Sequence, residues 1–462
     1  MWTRAARWTT ILGLLPLLCA SVSQPSDWVP ARWPWSEAKS LELLADSPVN
    51  CLLLKTYSAD FVAAAAKRGL VTLAVVSPGV DAVAAARNAL GAKVNGIVME
   101  GDFPVGETAA VKQAAGDATV IELPARSRLQ LGSKAPIIGT YQGVWPGVAA
   151  MESNAGPTGS TWIQTNTGFI RAVRAWGGGM LWIANEPPPK TVVTSTRYRQ
   201  AIADAAMSGA RWVMAFDNDF AARLHDREEQ AMGDWRAINQ VLRYFEQHPE
   251  WRVMREYGKM VLVQDPAKGA LVSGGILDMI AVTRMPMRVV ARQLLTAEAL
   301  KGASVVVNLD VGALTAEQEK VLHEFTRSGG VVLTRPPGWR DEGPKGNSFT
   351  LDKPNLDRLN DLGNEVNSLI SRSSFGVRVF NASSMLSNVL VSNDGKTIVV
   401  HLVNYSDYPV ENLTLMFPSD YKKATLIAPE GTGQIHDIFQ TADGSGVGVE
   451  KVSVCAVIKL EQ

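Results

Sequence analysis

Short apolar runs with the length of β-strands alternate with alanine-rich runs of helical period between about residues 49 and 250. Alternation of this kind is typical of βα units in a parallel sheet. Eight runs are predicted strands: Val49–Lys55, Leu70–Ser77, Val94–Gly101, Thr119–Leu123, Pro136–Tyr141, Thr161–Gln164, Met180–Asn185 and Arg211–Asp217. Five runs between them are predicted helices: Ala59–Arg68, Asp81–Leu90, Glu107–Ala115, Phe169–Trp176 and Tyr198–Ser208. The pattern predicts an α/β fold whose first domain, residues 25–252, is a TIM (β/α)8 barrel.

A second alternation of strands and helices begins after residue 252. The predicted strands are Lys259–Gln264, Ser304–Leu309 and Val331–Thr334. Ser273-Gly274-Gly275 opens one predicted helix, and Thr315 with Gln318 forms the pattern of a capping box before a helix that runs to Arg327. This order predicts a flavodoxin-like α/β domain over residues 253–350.

The last part of the chain changes to an all-β pattern. Residues 351–375 are predicted as a linker helix, centred on Leu359–Leu369. From residue 376 to residue 462, apolar and polar residues alternate with the period of two that β-strands have, and Asn393-Asp394-Gly395 has the composition of a hairpin turn. We therefore expect a small C-terminal antiparallel β-sandwich.

The first residues have the pattern of a secretory signal peptide. Arg4 and Arg7 precede an apolar run over residues 11–18 and small residues over 20–23, which predicts a signal peptide at residues 1–24 and a secreted or periplasmic protein. Cys19 is a candidate for lipid attachment. No later run has the roughly 18 unbroken apolar residues of a membrane helix, so we expect no transmembrane segment.

Charge and composition narrow the classes of partner. The 45 basic and 45 acidic residues give a formal net charge of zero, whereas nucleic acids favour a basic binding face. We therefore expect no nucleic-acid partner. The five histidines form no pair at the spacing of metal ligands, so the sequence predicts no metal site.

Polar side chains at the carboxyl ends of the predicted strands are the candidate site, because TIM barrels carry their chemistry there. The acids are Glu100, Glu122, Glu186, Asp217 and Asp219, and the amides and rings are Tyr141, Trp145, Asn166 and Asn185. Cleavage of a glycosidic bond needs two carboxyl groups that flank the bond. Glu122 and Glu186 belong to the fourth and seventh predicted strands, which face each other across a barrel of eight.

The triplet Asn185-Glu186-Pro187 resembles the Asn-Glu-Pro of retaining glycosidases with eight-fold barrels. Those enzymes place an acid/base Glu after strand 4 and a nucleophile Glu after strand 7. Their Asn-Glu pair belongs to strand 4, whereas here it follows predicted strand 7, and Glu122 has no preceding Asn.

The order of barrel, α/β domain and β domain resembles the family-42 β-galactosidases, whose middle domain is glutamine-amidotransferase-like. Glutaminases use a Cys nucleophile with a His, and no Cys lies between residues 52 and 454 of this chain. We therefore expect the middle domain to be structural or to form contacts in a homo-oligomer.

The resemblance implies a secreted glycoside hydrolase that acts on a carbohydrate substrate without a cofactor. Glu122 would be the acid/base and Glu186 the nucleophile. The other candidates would bind the substrate: Glu100, Tyr141, Trp145, Asn166, Asn185, Asp217 and Asp219. Two alternatives remain open, namely a non-catalytic barrel that binds carbohydrate or a partner, and a surface scaffold in which the barrel is only structural.

Overall fold

The computed structural model describes residues 24–148, 163–264, 286–308, 314–334, 376–382 and 384–462. Several sequence-based expectations fall outside these residues: the signal peptide, the lipid attachment at Cys19, the helix opened by Ser273 and the linker helix.

Eight short parallel strands and their helices make up the first half of the described chain. The strands are β1 (Pro30–Arg32), β2 (Cys51–Leu54), β3 (Val71–Val76), β4 (Gly96–Glu100), β5 (Thr119–Leu123), β6 (Ile137–Thr140), β9 (Met180–Ala184) and β10 (Arg211–Val213). The helices are α1 (Ala59–Lys67), α2 (Ala82–Gly91), α3 (Val105–Ala115), α4 (Thr167–Ala175), α5 (Ser195–Met207), α6 (Asn218–His225) and α7 (Glu229–Glu246). The five helices predicted from the sequence correspond to α1–α5.

These strands form two parallel sheets whose edges are joined by backbone hydrogen bonds. One sheet has the order β1-β2-β3-β4-β5 and the other has the order β10-β9-β6. Ala31 and Met214 form a parallel bridge between β1 and the end of β10, and the Met214 carbonyl accepts from Arg32 N at 2.7 Å. At the other edges of the two sheets, Tyr141 N, directly after β6, donates to the carbonyl of Pro124, directly after β5, at 3.3 Å.

The strand count from the sequence needs two corrections. Pro30–Arg32 is a parallel strand that the sequence pattern did not indicate, because its three residues start with Pro and include no β-branched side chain. Conversely, the run at residues 161–164 does not belong to the parallel series: β8 (Ile163–Gln164) pairs antiparallel with β7 (Gly147–Val148). In chain order, β4 is therefore the fourth parallel strand, β5 the fifth and β9 the seventh.

Side chains of the parallel strands alternate between two apolar layers. One inner layer contains only residues of the strands and of the segment before β1, among them Leu53, Val98, Leu123 and Trp182. The other layer contains the alternate strand residues together with helical side chains, and its members include Leu52, Ile97, Met99, Ile183, Phe61, Val111 and Ile202. A strand residue in the inner layer has its side chain towards the strands' common interior. A strand residue in the other layer has its side chain towards the helices.

A third parallel sheet follows the first half. Its strands are β12 (Met260–Gln264), β13 (Met287–Ala291), β14 (Val305–Asn308) and β15 (Val331–Thr334), in the order β13-β12-β14-β15. Helix α8 (Ala316–Arg327) begins with the expected capping box, in which Thr315 and Gln318 bond each other's backbone N–H groups. The predicted helix start at Thr315 is thus confirmed, whereas β13 had no recognised sequence signal.

The C-terminal part consists of two antiparallel sheets. The larger has the order β11-β17-β18-β24-β20-β21 and the smaller the order β16-β19-β23-β22. Their strands are β11 (Arg255–Glu256), β16 (Arg378–Phe380), β17 (Met385–Val391), β18 (Thr397–Asn404), β19 (Val410–Phe417), β20 (Lys423–Ala428), β21 (Gly431–Ile435), β22 (Ile438–Thr441), β23 (Gly444–Val452) and β24 (Cys455–Glu461). Both sheets contribute side chains to one apolar cluster. The turn predicted at Asn393-Asp394-Gly395 joins β17 to β18, and Gly395 takes a φ of 75° there.

The larger antiparallel sheet packs its other face on helices α5 and α7. Gln200 of α5 donates to the carbonyl of Asn404 at 3.0 Å, and the Tyr244 hydroxyl of α7 donates to the carbonyl of Ile427 at 3.0 Å. Cys51 and Cys455 are both buried and unpaired, on β2 and β24 respectively.

We expect His401 to make this contact between helix and sheet sensitive to acid. His401 lies buried on β18, with its ring against those of Phe245 and Trp251, and burial, followed by the charge of His248, lowers its pKa to about 3. An unfolded chain takes up the proton near pH 6.5. The contribution of a neutral His401 is therefore complete above that pH and is lost progressively as the pH falls towards 3.

Urea unfolding of the wild type and of His401→Phe at pH 7 and pH 5 measures this contribution. We expect the wild type to lose about 2 kcal/mol more stability than the variant over that interval. His436→Gln is the matched control, because His436 is exposed. Equal pH dependence in wild type and His401→Phe contradicts the prediction.

Candidate functional site

Four charged side chains lie at the carboxyl ends of the parallel strands. Arg32 is the last residue of β1, Lys55 follows β2, Glu100 is the last residue of β4, and Glu186 comes two residues after β9. Carboxyl ends of parallel strands share one edge, and TIM barrels hold their reactive groups at that edge. We call Arg32, Lys55, Glu100 and Glu186 the edge cluster.

One guanidinium group connects the two carboxylates of the edge cluster. Arg32 Nη2 lies 2.5 Å from Glu100 Oε2, and Arg32 Nη1 lies 3.8 Å from Glu186 Oε1. Lys55 Nζ forms an ion pair with the same oxygen of Glu186. The two positive and two negative charges of the cluster therefore balance.

The edge cluster has a buried side and an exposed side. The side chains of Arg32 and Glu100 are 10% and 17% exposed, whereas those of Glu186 and Lys55 are 52% and 60% exposed. Arg32 Nε and Nη1 are buried and have no hydrogen-bond partner among the described residues. A polar ligand or a water molecule at the buried side could accept hydrogen bonds from these two unpaired donors.

The electrostatic surroundings favour an ionised Glu186. Partial burial by itself raises the pKa of Glu186, but the hydrogen bond and charge of Lys55 and the charge of Arg32 outweigh it, so the pKa is lowered from its usual value. Glu186 is therefore a carboxylate at neutral pH, as a nucleophile or a general base must be.

The structure does not bring Glu122 to Glu186. Glu122 is opposite Met99 in the register of β4 and β5, and Met99 belongs to the layer that faces the helices. Its carboxylate forms an ion pair with Lys112 of α3 and is 44% exposed. Leu123, which is opposite Glu100, belongs to the inner layer. Of the two glutamates, Glu100 is therefore the one whose side chain points to the inner layer. Glu100 lies on β4, the strand before the one that carries Glu122.

Tyr141 and Trp145 lie beside the edge cluster. Tyr141 follows β6 and packs on the inner layer, and burial raises its pKa, with the carboxylates of Asp102 and Glu100 adding to the rise. Trp145 Nε1 donates to the backbone carbonyl of Glu186 at 2.9 Å. Trp145 therefore fixes the segment that carries Glu186.

The remaining expected site residues have partners within the protein. Asn185 Nδ2 donates to the carbonyl of Gly143 at 2.7 Å. Asp217 caps α6 and accepts from the Tyr198 hydroxyl at 2.8 Å, and Asp219 pairs with Arg223 on α6. These contacts tie the three side chains to neighbouring segments of the protein.

Asn166 has a similar role at a buried position. Its Oδ1 accepts from Val144 N at 2.8 Å and from Arg126 Nη2 at 2.6 Å, and its Nδ2 donates to Asp204 at 2.7 Å. Since the side chain is fully buried, it ties three segments together.

Sequence reasoning missed the two basic members of the edge cluster. Lys55 is the last residue of a predicted strand, so its position at a carboxyl end was available as a signal. Arg32 had no comparable signal, because its strand was not recognised. In the described part of the chain, no three His, Cys, Asp or Glu side chains converge as metal ligands, and no helix there has the length and apolarity needed to cross a membrane.

The fold of this chain is similar to those of an α-L-fucosidase and a β-galactosidase. Over 92% of this chain and 96% of its own, α-L-fucosidase isoenzyme 2 from Paenibacillus thiaminolyticus superposes with a TM-score of 0.60 at 9% identity. The cold-adapted β-galactosidase from Rahnella sp. R3 superposes over 96% of this chain and 99% of its own, with a TM-score of 0.55 at 8% identity. At such identities the likeness shows the fold alone. No family model and no curated protein sequence matches the chain.

Proposed function

We propose that the protein is a glycoside hydrolase in which Glu100 and Glu186 are the paired carboxyl groups. The observation that carries this proposal is that the guanidinium group of Arg32 contacts both carboxylates at the carboxyl edge of the parallel strands. Two carboxyl groups on either side of the scissile bond are what glycosidic cleavage needs. Glu100 ends the fourth parallel strand and Glu186 follows the seventh, which is the placement in the retaining glycosidases that the sequence resembles.

The proposal includes a closed barrel. Hydrogen bonds between β1 and the end of β10, and from Tyr141 to Pro124, support closure of the two parallel sheets into one ring of eight strands. Closure sets the fourth and seventh strands on opposite sides of a common interior, so that Glu100 and Glu186 face one space. The two C-terminal antiparallel sheets, which share an apolar cluster, would form the sandwich expected after it.

The environments of the two carboxyl groups suggest different roles. Glu186, which Lys55 and Arg32 keep ionised, would attack the anomeric carbon or activate a water molecule. Glu100, the second carboxyl group of the pair, would then exchange a proton with the leaving oxygen. Met99 rather than Asn precedes Glu100, which departs from the family pattern at the acid/base position.

A panel of aryl glycosides and polysaccharides tests the proposal. We expect the purified wild type to hydrolyse at least one of them, and we expect the double variant Glu100→Gln, Glu186→Gln to be inactive. The double variant also serves as the blank for contaminating activity from the expression host. Binding of a saccharide without cleavage by the wild type would replace the hydrolase by a non-catalytic carbohydrate-binding barrel.

Export remains part of the proposal, since a carbohydrate polymer is met outside the cell. The basic and apolar pattern of residues 1–24 supports it. Mass spectrometry of the protein made with its native N-terminus would show a chain that begins near residue 25. An intact N-terminus contradicts export by this route.

A further inference from the structure

A cleft lies next to the carboxyl ends of β1 and β10. It has a volume of about 350 Å³ and is lined by residues 34–37, which follow β1, and by Ala222, His225 and Asp226 at the end of α6. β1 and β10 are neighbours through the bridge between Ala31 and Met214. Arg32 of the edge cluster is two residues before the first lining residue, and Trp35 of the cleft packs on Phe216, which comes three residues after β10.

The cleft combines an aromatic surface with polar side chains. The Trp35 and His225 rings are inclined by 28° with centroids 6.2 Å apart, and Trp35 rests on Phe216 at a centroid distance of 5.6 Å. Ser36, Glu37 and Asp226 place a hydroxyl and two carboxylates around these rings. Binding sites for small molecules are concave and apolar with a few polar groups, and their volumes begin at roughly 300 Å³.

We propose that this cleft binds a sugar unit that lies beyond the bond cleaved at the edge cluster, so that the substrate is an oligosaccharide or polysaccharide. The apolar face of a pyranose would pack on the Trp35 ring, and its hydroxyl groups would donate to Glu37 and Asp226. The packing of Trp35 on Phe216 holds the indole in place before the sugar arrives. This inference rests on the proposed hydrolase, and it assigns to that enzyme a substrate longer than one sugar.

Kinetics on a matched pair of substrates test the inference. The pair is the aryl glycoside that the wild type cleaves best and a short oligosaccharide of the same sugar. We expect Trp35→Ala to lower kcat/KM for the oligosaccharide by about tenfold and to leave kcat/KM for the aryl glycoside unchanged. Glu37→Gln, a change at an exposed side chain, should act in the same direction, and it decides the question if Trp35→Ala does not fold.

Tyr408→Ala is the matched control, because Tyr408 is an aromatic residue that is 79% exposed and far along the chain from the cleft. Equal losses on both substrates, or no loss on either, overturn the cleft as a sugar site while leaving the hydrolase in place. If the wild type cleaves nothing, affinity electrophoresis in gels of soluble polysaccharides separates the two proposals. Retardation that Trp35→Ala abolishes would then support the cleft without the enzyme, and retardation that persists, or none at all, would refute it.

Discussion

Glu186→Gln is expected to lower kcat by about 1000-fold or more on whichever glycoside the wild type cleaves. The amide keeps the shape of the side chain and still offers an oxygen to Lys55, but it removes the negative charge that attacks carbon or deprotonates water. Because the side chain is about half exposed, the change should leave the thermal midpoint of unfolding nearly unchanged. Steady-state kinetics and thermal denaturation of the same preparation measure both effects.

Glu122→Gln is the matched control for this prediction. Glu122 is also a glutamate at the end of a parallel strand, with a similar exposure and an ion pair to a lysine. The change removes an exposed ion pair worth at most about 1 kcal/mol and touches no group of the edge cluster. We therefore expect wild-type activity from Glu122→Gln. Full activity in Glu186→Gln, or a large loss in Glu122→Gln, would contradict the assignment of Glu186, and not Glu122, to the catalytic pair.

The sequence predicted most of the repeated units but not which side chains meet at the carboxyl edge of the strands. Strands with long apolar β-type runs, such as Val71–Val76 and Met180–Ala184, were recognisable because hydrophobic runs of this length between helical segments are typical of buried parallel strands. Pro30–Arg32 is too short and too irregular for such recognition. Without it, each strand from β2 to β6 was counted one place too early, so that the fourth position fell on Glu122 instead of Glu100.

The sequence also did not show to which side of the sheet each strand side chain points. Thr119–Leu123 has apolar residues on both of its faces, because strands of a parallel sheet are covered on both sides. Alternation alone therefore did not show that Leu123 faces the strands' interior and Glu122 faces α3. The ion pair between Arg32 and Glu100 joins residues 68 positions apart, and no local pattern indicates a contact of that kind.

For a related reason, the sequence did not show which of the other expected site residues have partners within the protein. Asn166 and Asp217 are polar residues next to strands and helix starts, which suits either a ligand or a cap. In the structure Asp217 caps α6, and Asn166 binds the carboxylate of Asp204. Burial decides between the two uses, and the burial of a polar residue cannot be read from its sequence neighbours.

Asp204→Ala is expected to destabilise the fold by about 3 kcal/mol, because it leaves several buried donors unpaired. Asp204 lies fully buried on α5, and burial raises its pKa to about 6 in spite of the donors that surround it. It accepts from Asn166 N at 3.0 Å, from Asn166 Nδ2 at 2.7 Å and from the hydroxyl of Tyr405 at 2.7 Å. Tyr405 follows β18, so one carboxylate joins α5, the start of α4 and the C-terminal sheet.

Urea denaturation at pH 7 measures this loss, with Tyr405→Phe and Asp46→Ala as comparisons. Tyr405→Phe removes only one of these hydrogen bonds and should cost about 1 kcal/mol. Asp46 is exposed, so its replacement should change stability by less than about 0.5 kcal/mol. Asp204→Ala should also lower the resistance of the C-terminal sheet to proteolysis, because the sheet depends on this contact for part of its attachment to α5. A loss no larger than that of Tyr405→Phe would show that Asn166 finds other partners, and that the carboxylate does not hold the two parts of the chain together.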